Sequence, residues 1–154
     1  MAELVCPGVA VFVCVNSIPA GKHLPRQWMQ DGVHVQVREI PCSGKIDVQY
    51  LMHVMEGGAR GLCVVTCPTG ECQMAQGNYR AEVRVATIRK LLEEIGMEPE
   101  RAELVHNSPE EPLDRLEKLI RDAVERIRAV GDTPMRTATN PVEKPVEKPA
   151  VKAD

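Results

Sequence analysis

The stretch Val9-Ala-Val-Phe-Val-Cys-Val15 is a continuous apolar run rich in β-branched residues, and it decides the fold. Such a run is typical of a strand that is buried on both faces of a parallel sheet. Three further stretches predict strands: residues 33–40, where apolar and polar side chains alternate, residues 59–66 and residues 102–106. Together these stretches indicate an α/β domain with about four strands.

Helices are expected between and after these strands. Four segments predict them, namely residues 21–30, 47–55, 79–95 and 113–130. The last three carry apolar side chains at helical spacing, whereas Pro25 makes the first segment the weakest helical pattern. Asn78 is the expected N-cap of the third segment, which Gly96 is expected to end.

Alternating strands and helices predict βαβ units with right-handed crossovers on a parallel sheet. We therefore predict a single flavodoxin-like or Rossmann-like domain over residues 1–131, with strand order 2-1-3-4 and flanking helices. Residues 132–154 are rich in Pro, Val, Glu and Lys, and they repeat the sequence Pro-Val-Glu-Lys. A segment of that composition has no apolar period that packs, so it predicts a disordered tail.

Composition narrows the classes of function. The chain has 154 residues, 44% of them hydrophobic, and a formal net charge of −3. Without a basic, aromatic-rich segment it does not fit a nucleic-acid-binding protein. No apolar run approaches the roughly 20 residues that cross a bilayer, and a signal peptide is not expected because Glu3 precedes the first apolar run. We therefore expect a cytoplasmic protein.

Six cysteines are informative in a reducing compartment, where clustered thiols more often bind metals or do redox chemistry than form disulfides. Cys14 ends the first predicted strand, Cys42 follows the second, and Cys67 and Cys72 lie in the loop after the third. Open α/β sheets carry functional residues at the carboxyl ends of their strands. The topology thus predicts that these four thiols meet at the same edge of the sheet.

Four thiolates select an iron–sulfur cluster or zinc. The wide C-x4-C spacing of Cys67 and Cys72 differs from the paired C-x2-C pattern of structural zinc sites, which favours the cluster modestly. Cys14 alternatively belongs to the apolar core, Cys63 is expected to be a core residue within the third strand, and Cys6 precedes the first strand.

Two rival interpretations follow from the same residues. One is a zinc-stabilised or cofactor-free interaction module. The other is a thiol-based phosphatase-like enzyme, because Cys14 follows a first strand as the nucleophile of low-molecular-weight phosphatases does. That chemistry needs an arginine in a C-x5-R loop, and Ala20 occupies the corresponding position.

Three motifs occur in order along the chain: Cys42-Ser-Gly-Lys-Ile-Asp47, Cys67-Pro-Thr-Gly-Glu-Cys72 and Gly77-Asn-Tyr-Arg-Ala-Glu-Val-Arg84. In this order the chain resembles the delta (iron–sulfur) subunit of methyl-viologen-reducing hydrogenases, over roughly residues 8–130. The resemblance implies a small α/β domain with one 2Fe–2S cluster. It also implies an electron relay between a hydrogenase, or another electron-donating module, and the flavin-bearing A subunit of heterodisulfide reductase. Such a subunit is not expected to catalyse a reaction on its own.

The chain departs from the family pattern in two motifs. The usual FCCNWC is Phe12-Val-Cys-Val-Asn-Ser17 here, so Cys14 is the one cysteine that remains, and Thr66-Cys-Pro-Thr-Gly-Glu-Cys72 lacks the usual histidine. Four family cysteines are left, enough for a fully thiolate-ligated 2Fe–2S cluster. The resemblance thus implies Cys14, Cys42, Cys67 and Cys72 as ligands. Arg80 and Arg84 follow the cysteine loop. We expect their side chains either to be solvated or to contact the partner or its flavin.

Overall fold

A computed structural model describes residues 8–68, 70–72 and 76–134 of the chain. The described residues form one sheet of five strands: β1 (Val9–Cys14), β2 (Gln27–Gln30), β3 (Val33–Ile40), β4 (Gly61–Thr66) and β5 (Ala102–His106). Their order is β2-β3-β1-β4-β5. Strand β1 lies at the centre, parallel to β3 and β4, and β5 is parallel to β4. The predicted α/β class and the order of the four predicted strands are confirmed.

The prediction of a helix over residues 21–30 is wrong, because β2 forms there and adds a fifth, antiparallel strand at the edge of the sheet. The turn between β2 and β3 is Asp31-Gly32, and both residues have positive φ angles, 47° and 80°. Two such residues in succession favour a tight hairpin. The hairpin gives the backbone of β2 partners on β3, whereas Pro25 disfavours a helix through this segment.

Three α-helices cover the sheet within the described residues: α1 (Val48–Glu56), α2 (Gly77–Glu94) and α3 (Leu113–Val130). The apolar faces of α1 and α2 pack on one side of the sheet, around Phe12 and Leu62. Helix α3 packs on the other side, around Val11 and Val65. All residues of β1 and β4 are buried, as expected for central strands of a three-layer α/β domain.

The prediction that Asn78 is the N-cap of the third helical segment is wrong by two residues. Helix α2 begins at Gly77, and its cap position is Gln76, which has a left-handed φ angle of 61°. Asn78 lies inside the first turn of the helix and bonds the cysteine loop instead. Short-range signals did not distinguish these two positions because Asn is favoured both at caps and in local side-chain-to-backbone bonds.

The last described residues lie against the amino-terminal edge of the sheet. Arg101 is fully buried and donates hydrogen bonds to the carbonyl oxygens of Gly131 and Asp132, at 3.1 and 2.9 Å. Arg60 forms an ion pair with Asp132 at 2.6 Å. The predicted disordered tail lies outside the described residues from residue 135 onward. None of the described helices is both long and apolar enough to span a membrane.

Candidate metal centre

Four cysteines lie at the carboxyl edge of the sheet. Cys14 is the last residue of β1, Cys67 directly follows β4, and Cys42 comes two residues after β3. Cys72 lies in the loop between β4 and α2 and is half-buried, whereas the other three are buried. The parallel register places the end of β1 between the ends of β3 and β4, which brings the loops that carry these residues together.

The sulfurs of Cys42 and Cys72 both lie close to Gly77, the first residue of α2. A Cβ atom built on Gly77 would lie 2.5 Å from the Cys42 sulfur and 3.4 Å from the Cys72 sulfur. Gly44 also packs against this residue, since its own Cβ would lie 2.7 Å from the Gly77 Cα. Glycine is required at both positions because the two loops and the helix approach each other too closely for a side chain.

Cys14 and Cys67 form a second pair of thiols, joined by a hydrogen bond between their side chains. This bond lowers the pKa of Cys14 to about 6, against the opposing effect of burial. The backbone N–H groups of Ser43, Asn16 and Ser17 bond the same sulfur and lower the pKa further. A thiolate held by backbone N–H groups is ready to bind a metal without first losing a proton.

The pKa of Cys67 is raised, first because its thiol hydrogen-bonds Cys14 and second because it is buried. Repulsion from the charges of Cys14, Cys72 and Cys42 raises it further. The thiol of Cys67 therefore stays protonated more readily than that of Cys14 and donates its hydrogen to the Cys14 sulfur. Cys67 therefore lies close enough to each of the other three cysteines to be affected by their charge.

A short 3-10 turn, Ser43–Lys45, carries the residues that follow Cys42. The hydroxyl groups of Ser43 and Thr66 are buried and lie 2.8 Å apart, which links this turn to the end of β4. Arg84 of α2 donates hydrogen bonds to the carbonyl oxygens of Gly44 and Ile46. The Cys42 turn is therefore fixed to both the sheet and helix α2.

The family model described as "Methyl-viologen-reducing hydrogenase, delta subunit" matches residues 9–131. The chain belongs to this family. The resemblance predicted from the three sequence motifs is thus confirmed, and the matched residues include all four cysteines at the sheet edge.

Curated relatives of this delta-subunit chain carry two kinds of name. The chain is 40% identical over 70 residues to the iron–sulfur D subunit of the F420-non-reducing hydrogenase of Archaeoglobus profundus, a match that covers 46% of the chain and 51% of the relative. It is 31% identical over 108 residues to the iron–sulfur D subunit of the vhu F420-non-reducing hydrogenase of Methanocaldococcus jannaschii, covering 70% and 80%. In the first match the chain spans about half the length of the relative.

The second kind of name belongs to a much longer protein. The A subunit of the ferredoxin:CoB-CoM heterodisulfide reductase of Methanosarcina mazei is 27% identical to this delta-subunit chain over 127 residues. That match covers 82% of the chain and 16% of the relative.

The motif Gly77–Arg84 of this family member supports the cysteine loops in ways that the sequence did not reveal. Asn78 donates a hydrogen bond of 2.8 Å to the carbonyl oxygen of Pro68, between Cys67 and Cys72. A second support comes from His106, the last residue of β5.

The ring of His106 connects the cysteine loop to α2. Its Nδ1 donates to the Cys67 carbonyl oxygen at 3.2 Å, and its Nε2 lies 3.1 Å from a carboxylate oxygen of Glu82. Asn78 and His106 both donate to backbone carbonyl groups of the loop. Every residue has such a carbonyl, so the sequence does not show which ones act as acceptors.

Cys72 borders a cleft of about 460 Å³ that opens at the start of α2. The cleft is lined by Gly70, Cys72, Gln76, Asn78, Tyr79 and Glu82. Tyr79 is 62% exposed, which is unusual for so large an aromatic side chain. Of the four sulfurs, that of Cys72 therefore lies nearest to the surface of the domain.

Cys63 does not join this group. Cys63 lies within β4 and is fully buried, and burial raises the pKa of its thiol to about 12, so it is a core residue as the sequence predicts. Cys6 lies outside the described residues. Over the described ranges, no group of three or more His, Cys, Asp or Glu side chains forms an arrangement that could hold a metal ion. The four-cysteine ligand set therefore remains a prediction.

Proposed function

We propose that this chain is an electron-transfer subunit that carries one 2Fe–2S cluster on Cys14, Cys42, Cys67 and Cys72. The observation that supports the proposal is the position of these four cysteines at the ends of neighbouring strands and in the loops that follow them. Cys14 and Cys67 are hydrogen-bond partners, and the sulfurs of Cys42 and Cys72 both lie close to Gly77. A 2Fe–2S cluster is ligated by four thiolates, and two pairs suit its two irons.

The donor set and its surroundings fit this cofactor. Soft thiolates select iron–sulfur clusters or zinc, and backbone N–H groups directed at a sulfur tune the reduction potential of a cluster. Three such N–H groups bond the Cys14 sulfur. The close approach of Gly44 and Gly77 leaves no side chain between the Cys42 turn and helix α2. When bound, the cluster would accept and release single electrons, while the protein holds it and sets its potential.

The proposed redox partner is a flavoprotein similar to the A subunit of heterodisulfide reductase, with a hydrogenase or another oxidoreductase module on the other side of the relay. The stretch of the Methanosarcina mazei protein that is similar to this chain makes up only 16% of that protein. A segment similar to this chain is therefore part of the same polypeptide as a heterodisulfide reductase A subunit. The relatives named as hydrogenase subunits support the second module. We propose that the relay operates in the cytoplasm.

A reductive titration tests this function. The anaerobically purified chain is expected to take up one electron and to show a single paramagnetic signal in the reduced state, since a 2Fe–2S cluster is a one-electron carrier. Mixed in a stopped-flow cell, the reduced chain is expected to reduce the flavin of a purified heterodisulfide reductase of this type. A colourless chain with one bound zinc would contradict the cofactor, and an intact cluster without flavin reduction would contradict the partner.

A further inference from the structure

We propose that Arg84 is a positioning residue for the cluster site, which fixes the turn that carries Cys42 and places an uncompensated positive charge beside it. The inference rests on the proposed function. From the sequence, we expected the Arg84 side chain either to be solvated or to contact the partner or its flavin. Arg84 is half-buried on α2 and faces back toward the cysteine loops.

The contacts of Arg84 bridge two segments that are far apart in the sequence. One guanidinium nitrogen, Nη1, donates to the carbonyl oxygen of Gly44 and, at 2.5 Å, to that of Ile46. Within the turn itself, the backbone N–H of Lys45 donates to the carbonyl of Cys42 at 3.0 Å. Hydrogen bonds from a charged donor are stronger than those between neutral groups, so Arg84 binds this turn firmly to the helix.

The turn that Arg84 holds acts on two of the four sulfurs. It carries Cys42, whose sulfur packs against Gly77. It also carries the backbone N–H of Ser43, which bonds the sulfur of Cys14. If the turn moves away from α2, one ligand loses its position and the other loses a donor. A single side chain therefore fixes the geometry across both pairs of thiols.

No carboxylate of the described residues pairs with the charge of Arg84. Five other arginines of the described residues form ion pairs with Asp or Glu, namely Arg60, Arg101, Arg115, Arg126 and Arg128. Within the same part of the chain, Arg84 has no carboxylate partner, and its acceptors are the two carbonyl groups. A fixed positive charge favours the reduced, more negative state of a nearby cluster. Arg84 is therefore expected to raise the reduction potential.

Arg89 provides a matched control on the same helix. It is also half-buried, and its Nε donates to a backbone carbonyl, that of Ala102, at 2.7 Å. Ala102 begins β5, so this contact lies at the opposite edge of the sheet from the cysteines. Arg89→Gln removes the same kind of charge and the same kind of bond without touching the Cys42 turn.

The first experiment uses the metal-free protein, so its result does not depend on the identity of the cofactor. Hydrogen–deuterium exchange is measured at the backbone amides of Lys45 and Ile46. Arg84→Gln is expected to accelerate exchange there by about tenfold or more, because both charge-assisted bonds are lost. Arg89→Gln is expected to leave it unchanged. Wild-type exchange in Arg84→Gln, or equal acceleration in Arg89→Gln, would overturn the positioning role.

The second experiment measures the reduction potential of the loaded protein. Arg84→Gln is expected to lower the equilibrium constant for reduction about tenfold. For a one-electron couple this change corresponds to a reduction potential that is 59 mV more negative. Arg84→Lys keeps the charge and is expected to stay closer to wild type, and Arg89→Gln is expected to match wild type. An unchanged potential in Arg84→Gln would overturn the electrostatic role. Failure of the proposed function shows separately, as wild-type protein without iron and sulfide.

Discussion

The sulfur of Cys42 lies directly against the backbone of Gly77, so closely that a Cβ atom on Gly77 would come within 2.5 Å of it. The two residues are 35 positions apart in sequence (77 minus 42). Their contact brings the loop after β3 to the first turn of α2, beside the sulfur of Cys72.

Gly77→Ala is expected to destabilise the metal-free protein. Alanine in a helix is normally more favourable than glycine by about 0.5–1 kcal/mol. Here the added methyl group must displace the Cys42 sulfur, and overpacking of this kind costs about 1–3 kcal/mol. We therefore expect a net decrease in the free energy of unfolding of the metal-free protein, measured by urea denaturation under reducing conditions. In the anaerobically purified protein we expect this variant to hold less iron than the wild type.

A double-mutant cycle controls for unrelated effects of this substitution. Cys42→Ala removes the sulfur with which the new methyl group collides, so Gly77→Ala in that background is expected to be neutral or stabilising. If Gly77→Ala costs the same in both backgrounds, the contact between the sulfur and the helix start is not the cause.

Thr66→Val is expected to lower the free energy of unfolding by about 1–3 kcal/mol, because it leaves the buried hydroxyl of Ser43 without its partner. The double variant Ser43→Ala with Thr66→Val removes both polar groups and is expected to recover most of this loss. Urea denaturation of the metal-free protein measures both. Equal destabilisation by the single and double variants would show that another property of Thr66 matters.

Arg101→Leu is expected to destabilise the protein by at least about 1–3 kcal/mol, since it leaves the backbone carbonyls of Arg60, Gly131 and Asp132 without their buried donor. The control is Arg128→Leu, which removes a comparatively exposed ion pair with Glu125 and is expected to cost less than about 1 kcal/mol. Similar losses in the two variants, measured by urea denaturation, would contradict the distinction between a buried and a surface arginine.

The stability contributed by Glu98 is expected to depend on pH. Its own backbone N–H and then the Arg101 guanidinium hold the pKa of this carboxyl below the usual 4.5. A lowered pKa in the folded state means that the contribution is complete above pH 4.5 and is lost as the pH falls through the folded value. Compared with Glu98→Gln, the wild type should therefore lose stability faster in acid, and parallel acid-denaturation curves would contradict this assignment.

The sequence was sufficient to predict the four parallel strands and the edge at which the cysteines meet, because buried strands have a strong apolar pattern and parallel strands end together. The hairpin strand β2 was missed although Asp31-Gly32 is a typical turn pair. Its alternating, half-exposed residues lack an apolar run, and the pairing with β3 decides their structure.

The support of the site was not predictable in the same way. Arg84, Asn78 and His106 all bond backbone carbonyl groups in distant loops. Every residue has such a carbonyl, so no residue type in the loop marks it as an acceptor. These contacts follow from the packing of α2 and β5 against the loops, which is known only once the fold is formed.

Iron and acid-labile sulfide, counted per chain after anaerobic purification, test most directly whether four cysteines hold one 2Fe–2S cluster. We expect about two irons and two sulfides in the wild type and in the core control Cys63→Ala. Serine substitutions at Cys14, Cys42, Cys67 or Cys72 are each expected to abolish or strongly reduce both counts. A wild-type chain that holds one zinc and no sulfide, or a Cys14→Ser variant with a full and unchanged cluster, would contradict this ligand set.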